Sequence, residues 1–302
     1  MKVVASRHWI SAALVTGLLF AARGPLFAQA PEPSSPSDLR PRTETIPDGE
    51  FDDEREEDPQ EEPLETDRDS FTPATTTATH GRIIFESAYT FLNNRGVKET
   101  HSLPEFLARV GVTDRLELRL GWNYEVGGAP NTASGNGSGH EFRDEAKLER
   151  ESQVTYGLKY AVTDQDEWLP RSALILQGGT PTSGPDPATQ FVGTYVWGWL
   201  LGNGWTWDSS MRYAFDEGEG DHFNLWAPST VIKIPVHERW NAHLEYFGIF
   251  SEGRERETNV QYLSPGLHYL INPDLEVGVR VGWGLNHDAA NFFSNLGVGW
   301  RY

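Results

Sequence analysis

The residues of this sequence best suited to chemistry are charged side chains that alternate with apolar ones. In "DRLELRLGWNY", Glu117 and Arg119 alternate with leucines, and in "DLEVGVRVGWGL", Glu276 and Arg280 alternate with valines. Successive side chains of a β-strand point to opposite faces, so the charges of each segment share one face. Acids and bases on one face can pair and fill a polar interior, or a few of them can form a selective constriction.

A serine and a histidine on neighbouring strands would offer a different chemistry, nucleophilic hydrolysis. This catalysis needs a serine hydroxyl beside a histidine that a third polar group orients. The pairing that the sequence offers is His243 with Ser209 or Ser229, oriented by Asn241 or Glu245. No nucleophile-elbow sequence surrounds these serines, so we expect no catalytic residues and keep a lipase or deacylase barrel as an alternative function.

Composition excludes several other kinds of site. The 302 residues include no cysteine, which rules out disulfides, thiolate metal ligands and a cysteine nucleophile. The formal net charge of −19 argues against a nucleic-acid partner, because such partners require a basic surface. The nine histidines show no paired ligand spacing, residues 52–62 lack the glycine of a calcium loop, and no glycine-rich phosphate loop is present. The sequence therefore predicts neither a metal nor a cofactor.

The first 78 residues differ in character from the rest of the chain. Residues 1–30 have the basic start, the short apolar stretch and the Ala28-Gln29-Ala30 ending of an export signal that is cleaved near Ala30. The apolar stretch of about fourteen residues is too short to cross a bilayer, which takes ~20. Residues 31–78 begin with a run of Pro, Asp and Glu that has almost nothing to bury. We expect residues 31–78 to comprise a disordered acidic linker, over residues 31–65, and a candidate periplasmic plug segment.

Residues 79–302 have the pattern of an all-β fold. Segments of about ten residues alternate in polarity, are separated by turn residues and show no convincing 3.6-residue period. Tight turns alternate with longer loops rich in Gly, Ser, Asn and Pro, which is typical of outer-membrane barrels with the short side in the periplasm. We predict twelve strands, centred near residues 87, 107, 119, 156, 174, 196, 210, 229, 246, 265, 280 and 297.

Three features favour a transmembrane antiparallel β-barrel over a soluble sandwich or lipocalin-like barrel, in which the same alternation occurs. The chain carries an export signal, aromatic residues cluster near strand ends, and the last strand alternates up to Tyr302. Such a strand resembles the signal read by the barrel-assembly machinery, which we expect as a partner together with outer-membrane lipid. Because free strand edges are costly in hydrocarbon, this strand should pair with the first one, near "RIIFESAYTFL". We therefore predict a protein of the outer membrane of a Gram-negative-type bacterium.

Two regions of the sequence resemble a known family. "ETDRDSFTP" (Glu65 to Pro73), then "GRIIFESAYTF" and "LPEFLARVGVTDRLELRLGW", is similar to the opening of outer-membrane proteins grouped as the MetA-pathway of phenol degradation, commonly called transporters. "YLSPGLHYLINPDLEVGVRVGWGLN" resembles the penultimate hairpin of that family, whereas Asp69 departs from its pattern, which has Pro there. The resemblance covers roughly residues 65–302. It implies binding or passage of small, aromatic or hydrophobic molecules across the outer membrane.

A twelve-stranded barrel should enclose a constricted lumen, because eight strands are filled by side chains and sixteen leave an open channel. The side chains opposite the apolar stripe should line this lumen and either pair across it or form a selective constriction. These candidate lumen residues are Glu86, Arg109, Glu117, Arg119, Lys159, Arg212, Glu245, Glu276 and Arg280.

A short motif before the first strand is a candidate plug. Asp67, Arg68 and Asp69 surround an apolar anchor, Phe71, and could fold back into the periplasmic mouth to close or gate the lumen. An ordinary lead-in to the first strand is the alternative. The sequence thus predicts an outer-membrane channel or transporter for a small-molecule solute, with a barrel enzyme or a structural barrel without transport as the alternatives.

Overall fold

Twelve antiparallel strands form a closed barrel in the computed structural model, which describes residues 64–134, 150–184, 189–218, 221–253 and 257–302. Each strand pairs with its neighbours in chain order, and each predicted strand centre falls within an observed strand. The strands are β1 (Ile83–Asn93), β2 (Thr100–Thr113), β3 (Leu116–Val126), β4 (Arg150–Thr163), β5 (Arg171–Ser183), β6 (Gln190–Leu200), β7 (Thr206–Gly218), β8 (Asp221–His237), β9 (Trp240–Glu252), β10 (Asn259–Asn272), β11 (Leu275–Gly284) and β12 (Phe292–Arg301).

The two faces of each strand meet different surroundings, as the alternating pattern predicts. Leu118, Val279 and Trp300 are 49 %, 45 % and 48 % exposed on the outer face. Arg119 and Arg280, which alternate with them, are only 4 % and 2 % exposed. A soluble barrel would bury the apolar stripe and expose the charges, so the observed arrangement is that of a barrel surrounded by lipid.

The barrel closes between its first and last strands. β12 pairs with β1 from Arg301 opposite Ile84 to Phe292 opposite Asn93, and the backbones of Ile83 and Tyr302 exchange hydrogen bonds of 2.9 and 2.8 Å. This confirms the predicted pairing. The alternating aromatic end of the sequence therefore supplies part of the outer, lipid-facing surface.

The connections give the barrel two distinct ends. Residues 114–115, 238–239 and 273–274 make tight turns at one end, called here the turn end, where β1 begins and β12 finishes. The longest connection, residues 127–149, belongs to the opposite end, called the loop end. Among the described residues, no helix is long and apolar enough to cross a bilayer.

Residues 64–82, called here the inserted segment, precede β1. They run inside the barrel as far as Ala78, and residues 79–82 are exposed. The segment starts at the turn end, where the Leu64 N–H donates to the Pro273 carbonyl, and Phe71 reaches Phe247 in the middle of β9. It returns to the turn end, where the Gly81 N–H donates to the Gly111 carbonyl over 2.9 Å. Residues 31–63 of the predicted linker and the predicted export signal lie outside the described residues.

Two wall glycines make room for the inserted segment. A Cβ atom on Gly111 of β2 would lie 2.1 Å from the Thr79 carbonyl oxygen. A Cβ atom on Gly299 of β12 would lie 2.2 Å from Cγ2 of Thr66. The wall is therefore shaped to fit the segment, because any larger side chain at these positions would displace it.

Candidate functional site

Asp67 carries the most enclosed negative charge of the inserted segment. Its carboxylate accepts hydrogen bonds from Arg119 at 2.5 Å and from Lys159 at 3.2 Å, and it lies 3.7 Å from the guanidinium of Arg109. Burial alone would raise the pKa of Asp67, but the three cations outweigh burial and hold this pKa well below its ordinary value. Asp67 is therefore ionised and held in place by three strands of the wall.

The wall charges around Asp67 also pair with one another. Arg109 donates to Glu86 at 3.0 Å and lies 2.9 Å from Glu117. The two carboxylates bind the inserted segment as well: Glu86 accepts the backbone N–H of Asp67 at 3.0 Å, and Glu117 accepts that of Ala78 at 2.7 Å. The same buried groups therefore balance each other's charge and satisfy the backbone of the segment.

Phe71 is anchored by its ring and by its backbone. Its ring stacks on that of Phe247, with centroids 4.3 Å apart and planes 7° from parallel. The guanidinium of Arg212 lies 4.0 Å from the centroid of the Phe71 ring. Arg212 also donates to the Phe71 carbonyl. Glu245 accepts the backbone N–H groups of Phe71 at 2.9 Å and Thr72 at 2.7 Å. An aromatic contact and a pair of charge-assisted hydrogen bonds thus fix the tip of the segment.

The ring of Phe71 lies at the edge of a larger aromatic cluster inside the barrel. Phe247 contacts Tyr262 and Phe293 with centroids 5.1 and 6.0 Å apart, and Tyr262 meets Phe293 edge to face at 5.4 Å. All three are fully buried. This cluster was not predicted, because the predicted lumen residues are all charged. Tyr262 and Phe293 nevertheless lie on the inward face of their strands.

The remaining charges of the inserted segment bind wall residues that the sequence analysis missed. Arg68 donates to Glu105 at 3.0 Å, and Lys233 lies 3.1 Å from Asp69 and 3.3 Å from Glu65. Burial raises the pKa of Glu65, but Lys233 and nearby cations lower it more, to about 2. The strand pattern could have predicted Glu105 as a lumen residue. It lies four residues before Arg109 on β2, so the two side chains point to the same face of the strand.

A second piece of chain enters the lumen from the loop end. Residues 127–134, called here the inner loop, follow β3, and the rest of that connection, residues 135–149, lies outside the described residues. Asn131 and Ser134 donate to Glu105 at 2.8 and 3.0 Å, and Arg280 donates to the Ala133 carbonyl. Glu105 therefore binds the inner loop and Arg68 of the inserted segment at the same time.

The structure places every candidate lumen residue in the barrel interior, where each is buried. All of them except Arg280 make a hydrogen bond or ion pair with the inserted segment; Glu276, for example, accepts the Thr66 hydroxyl at 3.1 Å. Arg280 instead lies 3.3 Å from Glu245 and binds the inner loop. The candidate plug residues Asp67, Arg68 and Phe71 are buried in the same interior, and Asp69 is half-buried.

The serine–histidine pairing considered for hydrolysis does not form within the described residues. His243 Nδ1 hydrogen-bonds to His268 Nε2 at 2.8 Å, and its other ring nitrogen has no partner. The hydroxyls of Ser209 and Ser229 hydrogen-bond to the hydroxyls of other residues. Neither serine is therefore activated by His243 in this arrangement.

Comparisons with known proteins agree with this architecture. A family model described as "Putative MetA-pathway of phenol degradation" matches residues 66–302. An outer membrane channel from Pseudomonas putida F1 is similar in structure, with a TM-score of 0.53 and 12 % identity over 76 % of this chain and 98 % of that one. For the NanC porin the TM-score is 0.49, with 9 % identity over 72 % and 98 %. We found no curated protein whose sequence matches.

Proposed function

The chain belongs to the MetA-pathway of phenol degradation family of outer-membrane barrels, and we propose that it is a gated channel or transporter for small molecules. In this proposal the inserted segment is the gate. The observation that carries the proposal is that wall side chains inside the barrel bridge the segment and the inner loop. Glu105 binds both, and Glu245 binds the segment and Arg280, which in turn binds the inner loop. The path through the barrel is therefore interrupted by chain that is not part of the wall.

The charges of the wall suit a segment that can leave. Arg109 pairs with Glu86 and Glu117, and Arg280 with Glu245, whether or not the segment is present. Buried charges that keep a partner are tolerated, whereas a buried charge left alone is strongly destabilising. Withdrawal of the segment would thus leave these wall charges paired. Its cost would lie in the contacts of Asp67 and Phe71, in the pair of Arg68 with Glu105, and in the contacts of Lys233 with Asp69 and Glu65.

The surroundings of Phe71 support a preference for solutes with an aromatic ring. Withdrawal of Phe71 would expose the face of Phe247 beside Tyr262 and Phe293, with the Arg212 guanidinium opposite. A flat ring could stack in that space as Phe71 does, with its face toward the cation. The family description, which names phenol degradation, is consistent with such a solute.

A reversible crosslink tests the gate directly. The hydroxyl oxygens of Thr72 and Ser229 are 2.8 Å apart, which is close enough for the double variant Thr72→Cys/Ser229→Cys to form a disulfide. The chain has no other cysteine, so only this bond can form within it. We expect the oxidised variant to show the lowest single-channel conductance, the reduced form to match the wild type, and deletion of residues 66–72 to conduct most.

A matched crosslink within the wall serves as the control. The hydroxyl oxygens of Thr163 and Ser172, on β4 and β5, are 2.6 Å apart and make no hydrogen bond to the described inserted segment. Thr163→Cys/Ser172→Cys should conduct like the wild type in both redox states. Equal conductance of the oxidised Thr72–Ser229 crosslink, the wild type and the deletion would contradict the gate. Absence of any conductance in all of them would favour a structural barrel.

The solute class is tested on the deletion variant, whose lumen should be open. Benzenesulfonate and methanesulfonate carry the same charge and differ in the ring, so a ring site should make benzenesulfonate the stronger blocker of the ion current. Phe247→Leu should remove that difference. Equal block by the two anions would contradict an aromatic solute while leaving the gate itself intact.

A further inference from the structure

Three potential metal ligands meet at the boundary between the inserted segment and the wall. Asp69 of the segment, His268 of β10 and Glu276 of β11 each offer one donor atom, and these atoms lie within 4.8 Å of one another. His268 and Glu276 are buried, and the Asp69 side chain is only 8 % exposed. Ligand spacing along the chain does not indicate this site, because its donors come from distant parts of the sequence.

The hydrogen bonding of His268 leaves one ring nitrogen available. Its Nε2 forms a hydrogen bond of 2.8 Å with Nδ1 of His243, whereas its Nδ1 is buried without a hydrogen-bond partner. With the proton on Nε2, the Nδ1 lone pair points toward Glu276, whose Oε1 is 3.7 Å away. Metal-binding histidines usually have this arrangement, in which the second ring N–H donates to a fixed acceptor.

The backbone around His268 is shaped to hold its ring. A Cβ atom on Gly278 would lie 2.6 Å from His268 Nδ1, and one on Gly266 would lie 2.2 Å from Cε1 of His243. Each imidazole therefore occupies the space that a side chain would fill at the adjoining glycine: Gly278 beside His268 and Gly266 beside His243. The position of the Nδ1 atom is thus fixed by the wall rather than by a mobile side chain.

The three donors border a space of the right size for one ion. A cavity of about 10 Å³ is lined by Thr66, Asp69, His268 and Glu276, together with Arg68, Arg280 and other residues of β11 and β12. That volume accommodates about one water-sized particle. The same three donors also border a cavity of about 430 Å³ at the turn end, which offers a route for an ion to enter.

The charge balance of the larger cavity favours a cation. The carboxylates that border it belong to Glu65, Asp69 and Glu276, whereas its cationic side chains are Arg171 and Lys233. Lys233 forms ion pairs with Asp69 and Glu65. Its described ion pairs do not include Glu276. Among the ion pairs of the described residues, Glu276 has none with a lysine or arginine, although Arg68 and Arg280 border the small cavity beside it. Its carboxylate lies 3.7 Å from Nδ1 of His268.

We propose that Asp69, His268 and Glu276 bind a divalent cation of the zinc type and thereby pin the inserted segment to the wall. One imidazole nitrogen and two carboxylate oxygens are donors that zinc accepts, with water completing a tetrahedron. Bonds of about 2.1 Å place tetrahedral donor atoms about 3.4 Å apart. The donor atoms now lie up to 4.8 Å apart, so they must approach one another by up to about 1.4 Å. Asp69 can supply this movement because it lies outside the strands.

Zinc titration of the full-length, tag-free protein in detergent tests the site. Isothermal calorimetry should give one zinc per chain, and His268→Gln, Glu276→Gln and Asp69→Asn should each weaken binding at least tenfold. His287→Gln is the matched control, because this histidine is 95 % exposed and lies in the β11–β12 connection at the loop end. It should bind zinc like the wild type. Heat-modifiable migration on a gel confirms that each variant is a folded barrel.

Two results would overturn the site. One is a wild type that binds no zinc at micromolar concentrations, which would make His268 a buried histidine beside two carboxylates and nothing more. The other is a His268→Gln or Asp69→Asn variant with wild-type affinity. Calorimetry detects the ion whether or not the barrel conducts, so failure here is distinguishable from failure of the gated channel. If both are correct, zinc should lower the wild-type conductance and leave that of the 66–72 deletion unchanged.

Discussion

Asp67 is the side chain on which the inserted segment depends most. Three cations, Arg109, Arg119 and Lys159, surround its carboxylate, and the neighbouring wall carboxylates are Glu86 and Glu117. Loss of the Asp67 charge would leave one of these buried cations without a counterion. Removal of one partner of a buried ion pair typically costs about 3–5 kcal/mol.

Replacement of this charge should therefore release the segment. In Asp67→Asn we expect the docked state to lose about 3 kcal/mol, which raises the exposed population of the segment on the order of 100-fold. Trypsin cleavage after Arg68, which is buried in the docked segment, measures this exposure, and mass spectrometry identifies the new terminus at Asp69. The control Asp114→Asn, in the exposed β2–β3 turn, should cleave at the wild-type rate. Equal rates for both variants would contradict the role of Asp67.

The inside and outside of single strand residues could be predicted, but their partners could not. Leu118 and Arg119 are assigned correctly because a strand has a period of exactly two residues and only one of its faces can meet hydrocarbon. The same rule, applied to every charged residue of β2, would also have placed Glu105 on the inner face. Asp69 and His268 could not be brought together in this way, because Asp69 lies on a segment without regular structure and no period fixes its position.

At the scale of elements, the inserted segment and the inner loop share Glu105. One oxygen of Glu105 accepts from Arg68 and Ser134, and the other accepts from Asn131. Each piece of chain thus helps to hold the carboxylate that the other one binds. Two sites that stabilise the same arrangement of a shared group are energetically coupled, and the coupling acts in both directions.

A change in the inner loop should therefore be felt by the segment at the other end. Asn131→Ala removes the charge-assisted hydrogen bond to Glu105 and the acceptor of the Ala133 N–H. We expect about 1 kcal/mol of this loss to reach the segment and to accelerate trypsin cleavage after Arg68 about fivefold. Thr132→Val is the control, because Thr132 contacts Tyr262 and not Glu105. If the two loop variants cleave alike, the elements are independent of one another.

The strands could be predicted as elements, whereas the two pieces of chain inside them could not. Each strand repeats its polarity over about ten residues, and the closing pair follows from the cost of a free edge in lipid. The inner loop consists of small and polar residues without a period, so nothing in its sequence indicates that it enters the lumen. Its position depends on acceptors such as Glu105, which exist only once the barrel has closed.

At the scale of the whole molecule, docking of the inserted segment involves its ionised carboxylates, so the proposed gating should depend on pH. Glu65 lies outside the strands, and Lys233 and other cations outweigh burial to lower its pKa from 4.5 to about 2. A carboxyl whose pKa is lowered in the docked state contributes stability that is fully present above its undocked value. This contribution is lost as the pH falls from about 4.5 to about 2.

Glu65→Gln should therefore differ from the wild type only while Glu65 is ionised. We expect the variant to show the higher single-channel open probability, by a constant factor from pH 8 to pH 5, with chelator present to exclude bound metal. The factor should shrink below pH 4.5 and vanish near pH 2, because the wild type is then protonated at this position as well. Glu238→Gln, in the exposed β8–β9 turn, should match the wild type throughout. A Glu65→Gln effect that persists undiminished to pH 2 would mean that the side chain holds the segment through its shape and hydrogen bonds rather than through its charge.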